Sequence, residues 1–185
     1  MMAITSLWLP IVLSAVLVWI ASAVVWTVMP HRRKEFAPLP NEEAARSALK
    51  GLPPGEYHFP HAGSMAEAKD PAFLAKCVEG PMGYVRIVPS RAPAMGKPMI
   101  LGFVFYVVVG IVVAYVASRM LPPNPEYLMV FRLTGTVAWT AYFFGQVQDS
   151  IWFGKPWAST VKLFFEALVY GVLTAGIFAS MWPEG

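Results

Sequence analysis

Long apolar stretches flank one polar segment along this chain. Four of them, at about residues 4–29, 99–118, 127–147 and 160–182, carry few charged side chains. Each has at least the roughly 20 residues that an α-helix needs to cross about 30 Å of hydrocarbon. The pattern predicts four membrane-spanning helices, of which the third and fourth are the least uniformly apolar.

The polar segment, residues 30–98, is too long for an ordinary connection between two helices. Asn41 stands before "EEAARSALK", which predicts a short capped helix, and residues 71–78 predict a second one. The stretches "EYHF" at 56–59 and "YVRIV" at 84–88 predict two short strands. Because a segment of this size buries little apolar surface by itself, we expect a small α+β insertion packed on the bundle of helices.

Composition agrees with this division. Only 14% of the 185 residues are charged, against about 25% in a typical soluble domain. The expected fold class is an all-α membrane protein: a four-transmembrane-helix bundle with a small α+β cytoplasmic insertion between helices 1 and 2, as a single membrane domain over residues 1–185. The basic residues are mixed with acidic ones, so no nucleic-acid partner is predicted, and the single Cys77 excludes an internal disulfide.

Basic residues set the expected orientation. The run "HRRK" at 31–34 directly follows the first span, so this span is expected to be an uncleaved anchor despite "ASA" at 21–23. Lysine and arginine are retained on the cytoplasmic side of a membrane. We therefore expect the insertion and the loop between the third and fourth spans to be cytoplasmic, with the N- and C-termini outside.

That second cytoplasmic loop contains "FGKPW" at 153–157, whose residues are typical of a membrane boundary. Gly154 and Pro156 permit the chain to turn and to start a new helix. Lys155 supplies a cytoplasmic charge, and Trp157 suits the level of the lipid headgroups.

Six stretches carry a resemblance to a known family: "LWLPIVLSAVLV", "NEEAARSAL", "EGPMG", "MGKP", "FRLTGTVAW" and "QDSIWFGKPW". Together they are similar to an uncharacterised family of small bacterial integral membrane proteins, over nearly the whole chain. The resemblance implies a multi-pass protein of the bacterial cytoplasmic (inner) membrane. It implies no activity, cofactor or site residue.

Small residues recur every three or four positions in three of the predicted spans. Such faces let helices approach closely in lipid, where packing replaces the hydrophobic driving force. They predict a compact bundle, with a face for a partner protein's helix as the alternative. The positions are Gly110, Ala114 and Ser118; Gly135, Ala138, Ala141 and Gly145; and Ala167, Gly171, Ala175 and Ala179.

Two charged residues, Arg132 and Glu166, lie inside predicted spans, where ionisable side chains are functional candidates. In the expected orientation, Arg132 lies about 7 Å below the outer surface and Glu166 about 9 Å above the inner one. A salt bridge between them is therefore not expected. Arg132 is expected to extend its side chain toward the outer surface instead.

Polar residues near Glu166 define the candidate site. Lys162 precedes Glu166 by one helical turn, and Tyr142, Gln146 and Asp149 of the third span lie at or below its expected depth. These five residues predict a polar cluster at the cytoplasmic end of the bundle. Three interpretations are open: a structural hydrogen-bonded network, a proton or ion site, and a contact with a partner subunit.

Signatures of catalysis, cofactors and metals are absent from the sequence. It has no P-loop, dinucleotide fingerprint, nucleophile elbow or zincin helix. His58 and His61 would point to opposite faces of an extended strand, so no metal site is predicted.

Small size and the packing stripes favour a non-catalytic accessory or scaffold subunit. Its expected contacts are the lipid bilayer and either other membrane protein subunits or further copies of itself. The alternative is a small oligomeric transporter, or an ion- or proton-conducting protein, that uses Glu166 and Asp149.

Overall fold

The computed structural model describes residues 3–33, 35–90, 92 and 94–183, without the side chains of residues 31 and 33. The chain is mostly helical, at 69%, with a small two-stranded sheet. In chain order the helices are α1 (Trp8–Val28), α2 (Pro30–Arg33), α3 (Glu42–Leu49), α4 (Pro71–Glu79), α5 (Gly96–Met120), α6 (Tyr127–Trp152) and α7 (Trp157–Ser180), and the strands are β1 (Gly55–Phe59) and β2 (Gly83–Ile87).

Two compact units make up the chain, one of residues 1–37 and 94–185 and the other of residues 38–93. The insertion is therefore shorter at both ends than the predicted 30–98. Residues 30–37 belong with the long helices, and this assignment matters for the candidate site below.

The four long helices of the first unit form a ring in which each packs against two others. Helix α1 contacts α5 and α7, and α6 contacts the same two helices. The links at 121–126 and 153–156 are short, so α5, α6 and α7 alternate in direction. Side chains from all four helices and the 3-10 turn before α1 fill the centre, among them Ile11, Val113, Val130 and Phe178.

Three of the four predicted spans are confirmed as helices long and apolar enough to cross a membrane: Ile4–Val28, Gly96–Met120 and Trp157–Ser180. The four-span count is not confirmed. Helix α6 has 26 residues, but Arg132, Gln146, Gln148 and Asp149 lower its hydropathy below that of the other three.

Glycines allow the close helix contacts that the small-residue stripes predict. A Cβ atom on Gly171 would lie 3.0 Å from the Cβ of Trp139 and 3.1 Å from the carbonyl oxygen of Gly135, across the α6/α7 contact. A Cβ on Gly110 would lie 3.2 Å from Ile11 of α1. Gly145, by contrast, has open space around it. Only part of the small-residue stripe of α6 therefore forms a close helix contact.

The second unit contains the elements that its sequence predicts. The side chain of Asn41 accepts a hydrogen bond from the Ala44 amide at 3.1 Å and caps α3. Strands β1 and β2 pair antiparallel with Tyr57 opposite Val85. Helix α4 is capped in the same way, since Asp70 accepts from the Ala72 amide at 2.7 Å.

The expectation that His58 and His61 point to opposite faces is wrong. Nδ1 of His61 lies 3.0 Å from Nε2 of His58, and the two rings are in contact. Strand β1 ends at Phe59, so His61 lies beyond the strand and the alternation of its faces no longer applies.

Candidate functional site

A buried arginine, Arg32, organises the end of the helical unit at which α1 ends and α7 begins. The sequence "MPHRR" ends α1 and starts α2, whose first residue, Pro30, suits a position that needs no amide donor. The Arg32 amide donates to the Met29 carbonyl at 3.2 Å, which closes this turn. Helix α2 thereby directs the Arg32 side chain toward α7, and only 5% of the residue is exposed.

Both edges of the Arg32 guanidinium are engaged by carboxylates. Nε donates to Oε1 of Glu166 at 2.9 Å, and Nη2 donates to Oε2 of the same residue. This two-point geometry is the strong form of an arginine–carboxylate pair. Nη1 donates to Glu35 Oε2 at 2.5 Å, and the guanidinium carbon lies 4.3 Å from the centre of the Trp26 ring. Arg32, Glu35 and Glu166 are called the ion cluster below.

Burial and pairing act against each other in the ion cluster. Burial disfavours the charged forms, but the hydrogen bonds and charges outweigh it, so the pKa of Arg32 is raised and the pKa of Glu35 is lowered. Ser159 and the charge of Lys162 further lower the pKa of Glu35.

The structure separates the five residues of the predicted polar cluster into three places. Glu166 and Lys162 belong to the region of the ion cluster. Gln146 and Asp149 lie toward the link after α6 instead. Lys155 Nζ donates to Gln146 Oε1 at 3.5 Å and lies 3.9 Å from Asp149 Oδ2. The Asp149 side chain is half exposed, and that of its neighbour Lys155 is 26% exposed.

The predicted boundary motif forms the turn between α6 and α7. Gly154 has a φ of +67°, in the left-handed region that glycine adopts without steric cost. The Lys155 amide donates to the Asp149 carbonyl at 3.2 Å. Pro156 precedes the first residue of α7, Trp157, whose side chain is exposed.

Tyr142, the remaining predicted member, lies on α6 in a group of three tyrosines. This group is at α7, one or two turns beyond Glu166. The Tyr142 ring lies 5.9 Å from that of Tyr170 and 6.0 Å from that of Tyr106, centre to centre. Thr174 lies near the Tyr142 hydroxyl and donates to the Tyr170 carbonyl at 2.8 Å. Glu166, Tyr170 and Thr174 follow one another at four-residue spacing on one face of α7, and all three are buried.

The Tyr170 hydroxyl is buried and finds no hydrogen-bond partner among the residues that the structure describes. Arg132, the other charged residue inside a predicted span, is exposed. It lies near the start of α6, at the opposite end of the bundle from the ion cluster. It lines a groove on the surface of the α6/α7 pair.

Sequence reasoning missed Arg32 and Glu35 as partners of Glu166. The run "HRRK" was used only to predict orientation. A lone glutamate inside another span needs a cationic partner, and this was the signal that one of these basic residues could pair with Glu166. Which residue of the run pairs with Glu166 depends on the turn at α2, and the sequence pattern does not specify that turn.

Comparisons with known proteins add nothing to this geometry: no family model, curated protein or solved structure matches the chain. Among the described residues, no group of three or more His, Cys, Asp or Glu side chains is placed to hold a metal ion.

Proposed function

We propose that this chain is a non-catalytic accessory or scaffold subunit of a membrane complex, built as a four-span bundle. The observation that carries the proposal is the ion cluster, in which the buried carboxylate of α7 is held at two points by Arg32. A carboxylate committed to a fixed guanidinium is suited to joining helices. It is poorly suited to releasing and rebinding a transported ion.

We propose α6 as the fourth membrane-spanning helix. This helix packs against α7 along its length, from the Gly135–Ala175 contact to the hydrogen bond of 2.5 Å between Ser150 and Thr160. Since α7 has the length and composition of a span, an antiparallel neighbour beside it occupies the same depth of the bilayer. The polar residues of α6 near its C-terminus then lie at the headgroup level.

The proposed orientation of the helices in the membrane is based on the positions of the basic residues. The contact between Arg32 and Glu166 brings the end of α1 and the first half of α7 to one end of the bundle. Lys155 lies in the turn that starts α7, at this same end. The positive-inside rule makes that end cytoplasmic, with both termini on the outside of a bacterial inner membrane.

The alternative function is conduction of protons or ions. One observation favours it: Glu166, Tyr170 and Thr174 form a buried polar line along α7. Asp149 does not extend this line, because it lies by Lys155 and is half exposed. A pathway through Glu166 would also require the arginine pair to open in each transport cycle.

Purification of the tagged protein in mild detergent from its native membrane, followed by mass spectrometry, tests the scaffold proposal. We expect a partner membrane protein at fixed stoichiometry. Recovery of the chain alone, or as a homo-oligomer, would contradict the accessory role.

Ion flux in proteoliposomes separates the two functions. Glu166→Gln keeps one carbonyl acceptor for Arg32 and should leave the partner complex intact. If the protein conducts protons or ions, the wild type should show flux and Glu166→Gln should abolish it. The proposed orientation is tested separately: a cysteine at position 124 should react with an impermeant thiol reagent from outside, and Cys77 should not.

A further inference from the structure

A groove of about 200 Å³ lies on the surface of the α6/α7 pair. Gly135, Gly171 and Ala175 line it, and because these residues lack large side chains, no side chain of theirs covers the surface above the α6/α7 contact. Trp139 lines the groove at the end furthest along α6 from Arg132. The groove therefore results from the same small residues that allow α6 and α7 to approach closely.

Arg132 lines the groove near the start of α6 and is the one charged residue among those lining it that the structure describes. Its side chain is exposed, and within the described chain it has no hydrogen bond or ion pair. It lies five residues into α6, about 7 Å along the helix, and Trp139 lies about 10 Å beyond it. The groove is thus mostly apolar, with an unpaired cation at its shallow end.

We propose that this groove binds a phospholipid with a net negative headgroup, whose phosphate contacts Arg132 and whose acyl chain follows the small residues. This inference rests on the proposed four-span arrangement, which puts Arg132 near the outer headgroups. A guanidinium matches a phosphate in geometry as well as in charge. None of the described residues lining the groove is acidic, so nothing there receives the ammonium group of a zwitterionic lipid.

Lipid titration of the detergent-purified protein, followed by native mass spectrometry, tests the site. The probes are phosphatidylglycerol and phosphatidylcholine with identical acyl chains. The wild type should prefer phosphatidylglycerol about fivefold, the ratio that corresponds to about 1 kcal/mol for one cation at a membrane surface. Arg132→Gln should remove this preference, and Arg132→Lys should retain most of it.

Two further variants localise the effect. Arg119→Gln is the matched control, because Arg119 is also at the outer end but lies over the Tyr115 ring at 5.8 Å and does not line the groove. It should leave the preference unchanged. Thr136→Phe adds a ring to an exposed residue of the groove and should weaken binding of both lipids.

An unchanged preference in Arg132→Gln would overturn the proposal, and so would an equal loss in Arg119→Gln, which would indicate unspecific surface charge. A wild-type dimer that Arg132→Gln dissociates would assign the groove to a second copy of the chain instead. Equal helix content and melting of each variant and the wild type exclude misfolding as the cause. The labelling at position 124 distinguishes a wrong lipid site from a wrong span arrangement.

Discussion

Replacement of Arg32 by glutamine tests whether the ion cluster holds α1 and α7 together. The substitution removes the cation and leaves the carboxylates of Glu35 and Glu166 facing each other. The side chains of the three residues are 3%, 9% and 8% exposed, so water does little to screen the repulsion. Removal of one partner from a buried ion pair typically costs about 3–5 kcal/mol.

For a chain of this length, 1 kcal/mol corresponds to about 2–4 °C in melting temperature. Arg32→Gln should therefore lower the melting temperature by about 6–20 °C. Glu166→Gln should cost less, about 1–2 kcal/mol, because Arg32 keeps Glu35 and the amide oxygen still accepts a hydrogen bond. The assay is loss of helical circular dichroism on heating in a single detergent.

Arg132→Gln provides the matched control, since it makes the same chemical change at an exposed arginine of a long helix. It should shift the free energy of unfolding by less than about 0.5 kcal/mol. The double variant of Arg32 and Glu166 should be less destabilised than the sum of the two single variants, by about 1–3 kcal/mol. A melting temperature of Arg32→Gln within about 2 °C of the wild type would refute the ion cluster.

Three further predictions concern packing, the buried tyrosine and pH. Gly171→Ala should destabilise by about 1–3 kcal/mol because its Cβ would lie 3.0 Å from the Trp139 Cβ, whereas Gly176→Ala on the same helix meets nothing within 4 Å and should be neutral or stabilising; equal melting of the two variants would contradict the α6/α7 contact. Tyr170→Phe removes a buried hydroxyl without a partner among the described residues and should leave the free energy of unfolding unchanged or raise it by up to about 1–3 kcal/mol in the same melts, so a loss of stability would mean that this hydroxyl does bind something. The pKa of Glu35 is lowered in the folded protein, so its contribution to stability is present above the unfolded pKa of about 4.3 and is lost as pH falls through the folded value; melts at acid pH should show this loss in the wild type and a smaller one in Glu35→Gln.

Local patterns in the sequence predicted most of the elements. Apolar stretches of about span length became α1, α5 and α7, and the cap residue Asn41 marks the start of α3. Strands β1 and β2 formed within a residue of the predicted stretches. These features depend on neighbouring residues along the chain, so a sequence pattern contains the information that specifies them.

The partners of the charged residues could not be predicted in this way. Reasoning from depth along a helix grouped Glu166 with Gln146 and Asp149, which the structure places beside Lys155 instead. Depth gives one coordinate, whereas a contact also depends on the face of each helix and on its neighbours in the bundle. Helix α6 turns Gln146 and Asp149 toward Lys155, and this rotation is set by packing against α5 and α7.

The sequence alone determined that the protein has helices suited to a membrane, that a small α+β unit separates the first two long helices, and that Glu166 is an unusual charge. Only the tertiary structure decided that Arg32 neutralises Glu166 and that the glycines between α6 and α7 leave a groove beside Arg132. The physical reason is the range of the interactions. Hydropathy and capping act within a few residues, whereas the Arg32–Glu166 pair joins residues 134 positions apart that meet only when the bundle has closed.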